Sequence, residues 1–467
     1  MNSKRRNFLR GLVTAAGAAT ATSAYAQHEH PAPRQVAPRA LPPAGPVPPE
    51  KLGPGVVPVV TPDAPDMPWR LEDGVKVFEI AAERVRTEFV PGRGVDAWGF
   101  NGSVPGPTIQ VNEGDHLRLI VENRLPEGFT MHWHGLEVPN GMDGSPGLTQ
   151  DLIEPGGKFV YEFTVQQNGT FFYHSHMAMQ EMMGMIGLFI IHPRRAHAPR
   201  VDRDYAIVLQ EWAILPNNTI PNTLAMEFNW LTFNGKAGPA TTPLLCKIGE
   251  RVRIRIVNLG MDHHPIHLHG HQFAVTGSEG GRYRTAAEEP GNTVLVGVAQ
   301  ARDIEFVAHN PGDWHFHCHL PHHMMNQMAS MVGPMMSGGG MTPGGMTSGM
   351  GIVTGRALSE NAGPAFGRTI GPGAEADRAV ANMPLGVQQP TMGRPQRGAP
   401  NENMFPGYPQ DMFMVMDEAV AKPETYGLRP GWSGSTLGMM TIVRVLTPEM
   451  FDKIAELKAE QQRKARG

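Results

Sequence analysis

Residues 315–328 read HFHCHLPHHMMNQM, with Cys318 between His317 and His319, His323 five residues past the cysteine and Met328 ten past it. A thiolate, two imidazoles and a weak axial thioether are the ligand set of an electron-transfer (type 1) copper, because soft sulfur holds Cu(I) while imidazole suits both oxidation states. In an extended chain successive side chains alternate, so Cys318 faces one way and His317 and His319 the other. One peptide can then touch two metal sites.

Three more histidine motifs lie upstream. His132-Trp-His134-Gly follows the strand-like HLRLIVEN, His174-Ser-His176 follows FFY, and His264-Pro-Ile-His267-Leu-His269 begins the approach to the cysteine. Each His-x-His pair points to one face of an extended chain, which lets two imidazoles reach one metal centre. His267 and His269 form such a pair, leaving His264 for a different metal. The neighbouring His263, His271, His315 and His322 are surplus to this reading.

Around these motifs the chain has 467 residues, room for two or three compact domains. Its net charge of −4 offers no basic field to nucleic acid. Of 2 cysteines one is claimed by the metal, so no disulfide is expected, and Cys246 reads as a small hydrophobe in a strand. Residues 1–26, with Arg5-Arg6, a mild apolar run and Ala24-Tyr25-Ala26, have the pattern of a Tat-type signal peptide, which predicts export to the periplasm. No later stretch of about 20 apolar residues predicts a mature membrane span.

Residues 27–70 are proline-rich and read as a linker or arm, with His28 and His30 solvated. From Val75, VKVFEI, PTIQV, HLRLIVEN, KFVYEFTV and GLFIIH alternate between turn residues, and a second set follows from Tyr205. Two copies of one β module are expected, at 71–198 and 199–332, each with histidine pairs near its end. A Met/Gly/Pro-rich insertion, 333–435, is long for a loop. The clean strand Gly438 to Leu446 then closes the second module, and Pro448 opens a surface helix with Phe451, Ile454 and Leu457 at helical spacing, so 436–467 is read as closing strand plus helix.

Taken together, HWHG, HSH, HPIHLH and HCHLPHHMMNQM resemble the motifs of the multicopper oxidases, the group containing laccases and bacterial cuprous oxidases. The resemblance implies an all-β chain of two cupredoxin-like Greek-key sandwich or barrel domains and four coppers per active unit. Carried over by motif, His264, Cys318 and His323 would hold the type 1 copper with Met328 axial. His132 and His267 would hold the type 2 copper, and His134, His174, His176, His269, His317 and His319 the type 3 pair. Asp143 matches an acidic position that helps deliver protons in similar enzymes, whereas Met324 stands where some relatives have an acid. The implied reaction takes single electrons from phenols, aromatic amines, Cu(I) or Mn(II) and reduces O₂ to water.

Only 88 residues separate His176 from His264 (264−176), too few for a middle domain. This resembles the two-domain branch, in which the cluster forms between neighbouring subunits, and implies a homotrimer. Met177, Met179, Met182, Met183, Met185, Met324 and Met325 crowd the motifs, and thioethers select Cu(I). Two other functions compete. A copper nitrite reductase needs only a mononuclear catalytic copper, and a noncatalytic copper-sequestering protein would not need ligands in this order.

Overall fold

The computed structural model describes residues 51–214, 218–326 and 415–466. The leader at 1–26, the arm up to residue 50, His28, His30, Met328 and most of the Met-rich insertion, 333–414, lie outside the described residues. What is described is almost entirely β. The strand His116–Asn123 shows the physical basis: HLRLIVEN alternates half-buried and buried at every residue, one face packed and the other wetted.

Each module is built from two sheets. In the first, Trp69–Glu72, Val75–Glu88, His116–Asn123 and Lys158–Thr164 form one sheet, with Gly94–Phe100 also paired to Val75–Glu88. Gly106–Asn112, Ile186–His192, Gly169–Ser175 and Met131–His134 form the other. In the second module the larger sheet runs through Arg203–Trp212, Arg251–Asn258, Ala301–Val307 and Phe273–Ser278. Its smaller partner has the order Leu244–Lys247, Met440–Leu446, Gly312–Cys318, His264–Leu268 and Thr293–Val296. All four histidine motifs sit on or at the ends of the two smaller sheets.

The duplication is exact enough to be read in the pairing register. His132 lies opposite His174, and His267 lies opposite His317. One residue on, Met131 faces Ser175 while Ile266 faces Cys318, so Ser175 occupies in the first module the place of the cysteine in the second. The Ser175 hydroxyl is hydrogen-bonded to Gln180 Oε1 at 2.8 Å.

The end of the proline-rich arm is docked. Val59–Val60 pairs in parallel with Arg203–Trp212, and Met67 is buried among the core side chains of the first module. Such a segment forms no core of its own, but its apolar residues and main chain complete existing sheets. Residues 415–435 likewise pack as short turns, with Val415 and Val420 buried against Trp212 and Trp230. Met440–Leu446 is hydrogen-bonded between Leu244–Lys247 and Gly312–Cys318, and the helix Pro448–Arg466 covers Leu245 and Leu446 with Ile454. Cys246 is a buried free thiol.

An apolar layer joins the modules: Phe172, Ile186, Leu188 and Ile190 pack with Ala206, Val208, Val257 and Leu259. Beside it a buried ionic network crosses the boundary, Arg255 donating to Thr170 Oγ1 at 2.7 Å and to Asp204 at 2.8 Å, and Thr170 donating to Asp303 at 2.8 Å. His192, nearly fully buried nearby, is pushed down to about 4, first by burial and then by the Arg255 charge. Its folded value lies below its ordinary 6.5, so the neutral ring is favoured by folding. The contribution is complete above pH 6.5 and is lost as pH falls through 4, on the order of 3 kcal/mol at full loss. The metal-free protein is therefore expected to melt at lower temperature between pH 6.5 and 4, and His192→Gln should flatten that decline in a calorimetric pH series.

Candidate metal centre

Cys318 ends the strand Gly312–Cys318, His264 begins His264–Leu268, and the turn Pro321–Met324 folds the chain back so that His323 joins them. Cys318 Sγ lies 3.6 Å from His264 Nδ1 and 3.5 Å from His323 Nδ1, and the two Nδ1 atoms are 3.1 Å apart. An ion at the centre of that triangle sits about 2 Å from each corner, the length of a metal–imidazole bond. All three residues are buried. Burial pushes the Cys318 thiol up to about 12 and the His323 imidazole down to about 4. A bound cation would reverse the first shift, since a coordinating thiol is deprotonated outright.

The closing strand laces this loop. Met439 N–H donates to His323 O at 2.8 Å, and Cys318 N–H donates to Met439 O at 3.0 Å. Gly438, at φ +60°, passes so near that a Cβ there would come within 2.3 Å of His323 O. Asn326, fully buried, bridges Gly238 O and Gly438 N–H just before Met328.

His132, His134, His174 and His176 form a first quartet, with ring centroids 5.3 Å apart for His132–His174 and His132–His176, 5.6 Å for His134–His174 and 6.3 Å for His174–His176. His132 Nδ1–H donates to Asp143 O at 2.7 Å and His174 Nδ1–H to Ser175 O at 2.8 Å. Both rings thereby turn Nε2 inward, and His174 Nε2 is buried without a hydrogen-bond partner. A buried acceptor left unpaired is costly unless something fills it; an electrophilic ion fits. Gly144, at φ +84°, lets the loop carrying Asp143 lie on Met131, whose carbonyl a Cβ would overlap.

His267, His269, His317 and His319 form the second quartet, with centroids 5.0 to 5.7 Å apart. His267 Nδ1–H donates to Asn292 O and His317 Nδ1–H to Cys318 O, each at 2.7 Å, and Nε2 of His317 faces Nε2 of His269 at 3.0 Å. A cleft of about 480 Å³, lined by His267, His269, His271, Asn292, His309 and Trp314, opens beside them. Among the described residues no ring contact joins the two quartets, and each ends on an exposed imidazole, His176 or His319.

Two sequence models described as multicopper oxidase match residues 82–196 and 214–333, one on each module. The chain belongs to the multicopper oxidase family. It is similar to copper resistance protein A of Pseudomonas syringae pv. tomato, 39% identical over 145 residues, which are 31% of this chain and 24% of that protein. It is also similar to multicopper oxidase MmcO of Mycobacterium tuberculosis, 29% identical over 243 residues, 45% of this chain and 47% of that protein. The chain thus spans about a quarter to a half of the length of these curated relatives. Among solved structures, the blue copper oxidase of Nitrosomonas europaea is 32% identical and superposes with a TM-score of 0.51, covering 54% of this chain and 81% of that one.

Copper is the metal of this family, and the donor sets of the three groups suit it: thiolate with imidazole in one, imidazole alone in the others. The surplus histidines have other partners or none of the ligand geometry. His263 Nδ1 accepts Val298 N–H, His271 lies between His269 O and Asn310 N–H, His315 faces Thr436 Oγ1 at 3.5 Å, and His322 is exposed.

Three carboxylates escaped the motif reading. Glu211 Oε1 lies 2.8 Å from His264 Nε2, Asp262 Oδ2 3.5 Å from His323 Nε2, and Glu181 Oε1 3.3 Å from His174 Nδ1. Glu211 left one signal: a charged residue inside the buried strand YAIVLQEW must find a partner.

Proposed function

We propose that the protein is an O₂-reducing multicopper oxidase in which His264, Cys318 and His323, together with Met328, would hold a type 1 copper. His132 and His267 hold the type 2 copper, and His134, His174, His176, His269, His317 and His319 the type 3 pair, four coppers in all. The observation that carries the reading is the single strand Gly312–Cys318, whose last residue belongs to the buried Cys/His triangle while His317 and His319 on either side of it belong to the second quartet. When bound, the coppers would take four single electrons and deliver them together to O₂, releasing water. Eight histidines in two quartets exceed what a mononuclear nitrite-reducing site requires, and their order exceeds what sequestration requires.

The chain's own residues divide the work. Cys318 and the peptide to its neighbours supply a covalent path between the sites. His264 is fully buried, whereas the His323 side chain is 11% exposed and adjoins the half-exposed Asp262, so donors meet the protein at the His323 edge. Asp262 can orient or deprotonate a phenol or attract Cu(I), and exposed Met261 beside it offers apolar or thioether contact. Asp143 lies 3.5 Å behind His132, where its carboxylate would help deliver protons to the cluster. Asp143→Asn is expected to slow O₂ reduction about 10- to 100-fold, as loss of an outer-shell partner does, with the single-turnover reduction of the type 1 site unchanged in stopped flow.

The separate quartets support a head-to-tail assembly, each exposed half-site meeting its complement on a second copy, and a ring of three closes such a contact. The Arg5-Arg6 leader supports Tat export to the periplasm; among the described residues no helix is long and apolar enough to cross a membrane. The test is steady-state O₂ uptake by the copper-loaded protein with Cu(I) or a phenol, before and after deleting 335–412. The deletion spares 415–435, which pack on the body. Four donor electrons per O₂ are expected. A Cu(I) activity that collapses on deletion identifies a cuprous oxidase with a Met-rich donor site; a phenol activity that survives identifies a laccase. Uptake of two electrons per O₂, or none, overturns the reading.

A further inference from the structure

Glu211 is a carboxylate with no exposure at all in its side chain, inside the strand Arg203–Trp212. A group so buried carries a large desolvation cost unless its environment is built to hold it. Among the described residues no lysine or arginine pairs with it. What faces it are two backbone donors, Met261 N–H at 2.8 Å and Asp262 N–H at 3.2 Å, and the His264 Nε2 edge, in ion-pair contact at 2.8 Å without hydrogen-bond alignment. His264 presents Nδ1 to Cys318 and His323, so in the metal-bound ring Nε2 carries the proton and points to the side on which the Glu211 carboxylate lies. Gly260 makes the room. A Cβ there would come within 2.9 Å of the Glu211 carboxyl carbon and 3.0 Å of Oε2.

We infer that Glu211 is a positioning residue that sets the electron affinity of the Cys318 site, by holding a buried negative charge against the far edge of the His264 ring while fixing the loop that carries Asp262 to His323. This rests on the type 1 assignment made above. A carboxylate on the outer nitrogen of a ligating imidazole raises the basicity of the inner one, and a buried negative charge is weakly screened. Both effects favour Cu(II) over Cu(I) in the one-electron step, in which the donor loses an electron, the copper gains it and no bond is made or broken. Glu211 covers the His264 edge completely, whereas His323, which also lies near Glu211 and Asp262, keeps an exposed edge that meets donors.

The experiment is a redox titration of the copper-loaded full chain against a one-electron mediator, following the type 1 blue absorption, for the wild type, Glu211→Gln and Gly260→Ala. Glu211→Gln keeps the volume and removes the charge. It is expected to keep the blue band and to shift the reduction equilibrium at least tenfold toward Cu(I), 59 mV for one electron. Gly260→Ala leaves the carboxylate in the chain but displaces it from His264, and should shift the equilibrium the same way by about threefold or more. A purely structural role would change copper content without moving this equilibrium. Blue variants whose equilibria stay within twofold of the wild type overturn the inference. If Glu211→Gln fails to load, Gly260→Ala alone decides, in the same two directions. A wild type that binds copper without a blue band instead overturns the type 1 assignment, and the inference with it.

Discussion

Cys318→Ser is expected to abolish both the blue colour and the oxidation of every donor, a loss far beyond the roughly 100-fold that follows from removing an outer-shell partner. Serine is nearly isosteric, so the fold should survive; the first module already carries Ser175 at the equivalent register position. There, however, the hydroxyl has Gln180 as its partner. At 318 its polar neighbours would be His264 Nδ1 and His323 Nδ1, 3.6 and 3.5 Å from the sulfur it replaces, and a buried hydroxyl whose hydrogen bonds are imperfectly met costs about 1 to 3 kcal/mol. A modest drop in melting temperature is therefore expected beside the complete loss of donor oxidation. Copper content should fall by about one equivalent per chain, since the eight quartet histidines are untouched. Metal analysis, visible absorption and O₂ uptake on one preparation check all three. Donor oxidation that persists in Cys318→Ser overturns the oxidase reading, and copper retention that stays nearly intact without any activity in the wild type favours sequestration.

Two inactive chains are expected to rescue one another. One variant carries His174→Ala and His176→Ala and so lacks the first quartet; the other carries His267→Ala and His269→Ala and lacks the second. If each cluster is built from the first module of one subunit and the second module of the next, every mixed ring of three contains one junction where both quartets are whole. Co-expression in equal amounts should then restore about a quarter of wild-type O₂ uptake, because three-quarters of random rings are mixed and each mends one junction in three. Either variant alone should show none. No rescue in co-expressed material of trimeric mass would mean that both quartets of a cluster come from the same chain. A monodisperse, fully copper-loaded and active monomer in sedimentation would dispose of the assembly altogether.

Much of this was legible in the residues. Period-two alternation by itself separates Cys318 from His317 and His319, because a strand has no other way to dispose successive side chains. The same rule separated His264 from the pair His267 and His269, and the structure has His264, Ile266 and Leu268 buried on one face with His267 on the other. Turn residues bounded the strands, and the closing strand was visible after the long insertion because MTIVRVL is mostly apolar and rich in β-branched residues. The carboxylates were less accessible. Glu211 lies 53 residues before His264 (264−211), and no local pattern states which histidine a buried acid will meet. Glu181, between Gln180 and Met182 in a methionine-rich turn, carries no local signal that it will meet His174.

The sequence by itself determined the ligand chemistry, the alternation that divides it between two sites, and the doubling of one β module. Those are properties of residue type and spacing, and they act over a few neighbouring positions. Only the tertiary structure decided that the arm at 59–60 joins the second module's sheet, that His264 is sealed by Glu211 while His323 faces Asp262, and that the two quartets stand apart within one chain. Each of these depends on which distant strands pair and how the apolar layer of Phe172, Ile186, Val208 and Val257 seats one module against the other. Packing of that kind is set by the sum of many weak, nondirectional contacts, and no short stretch of sequence carries it.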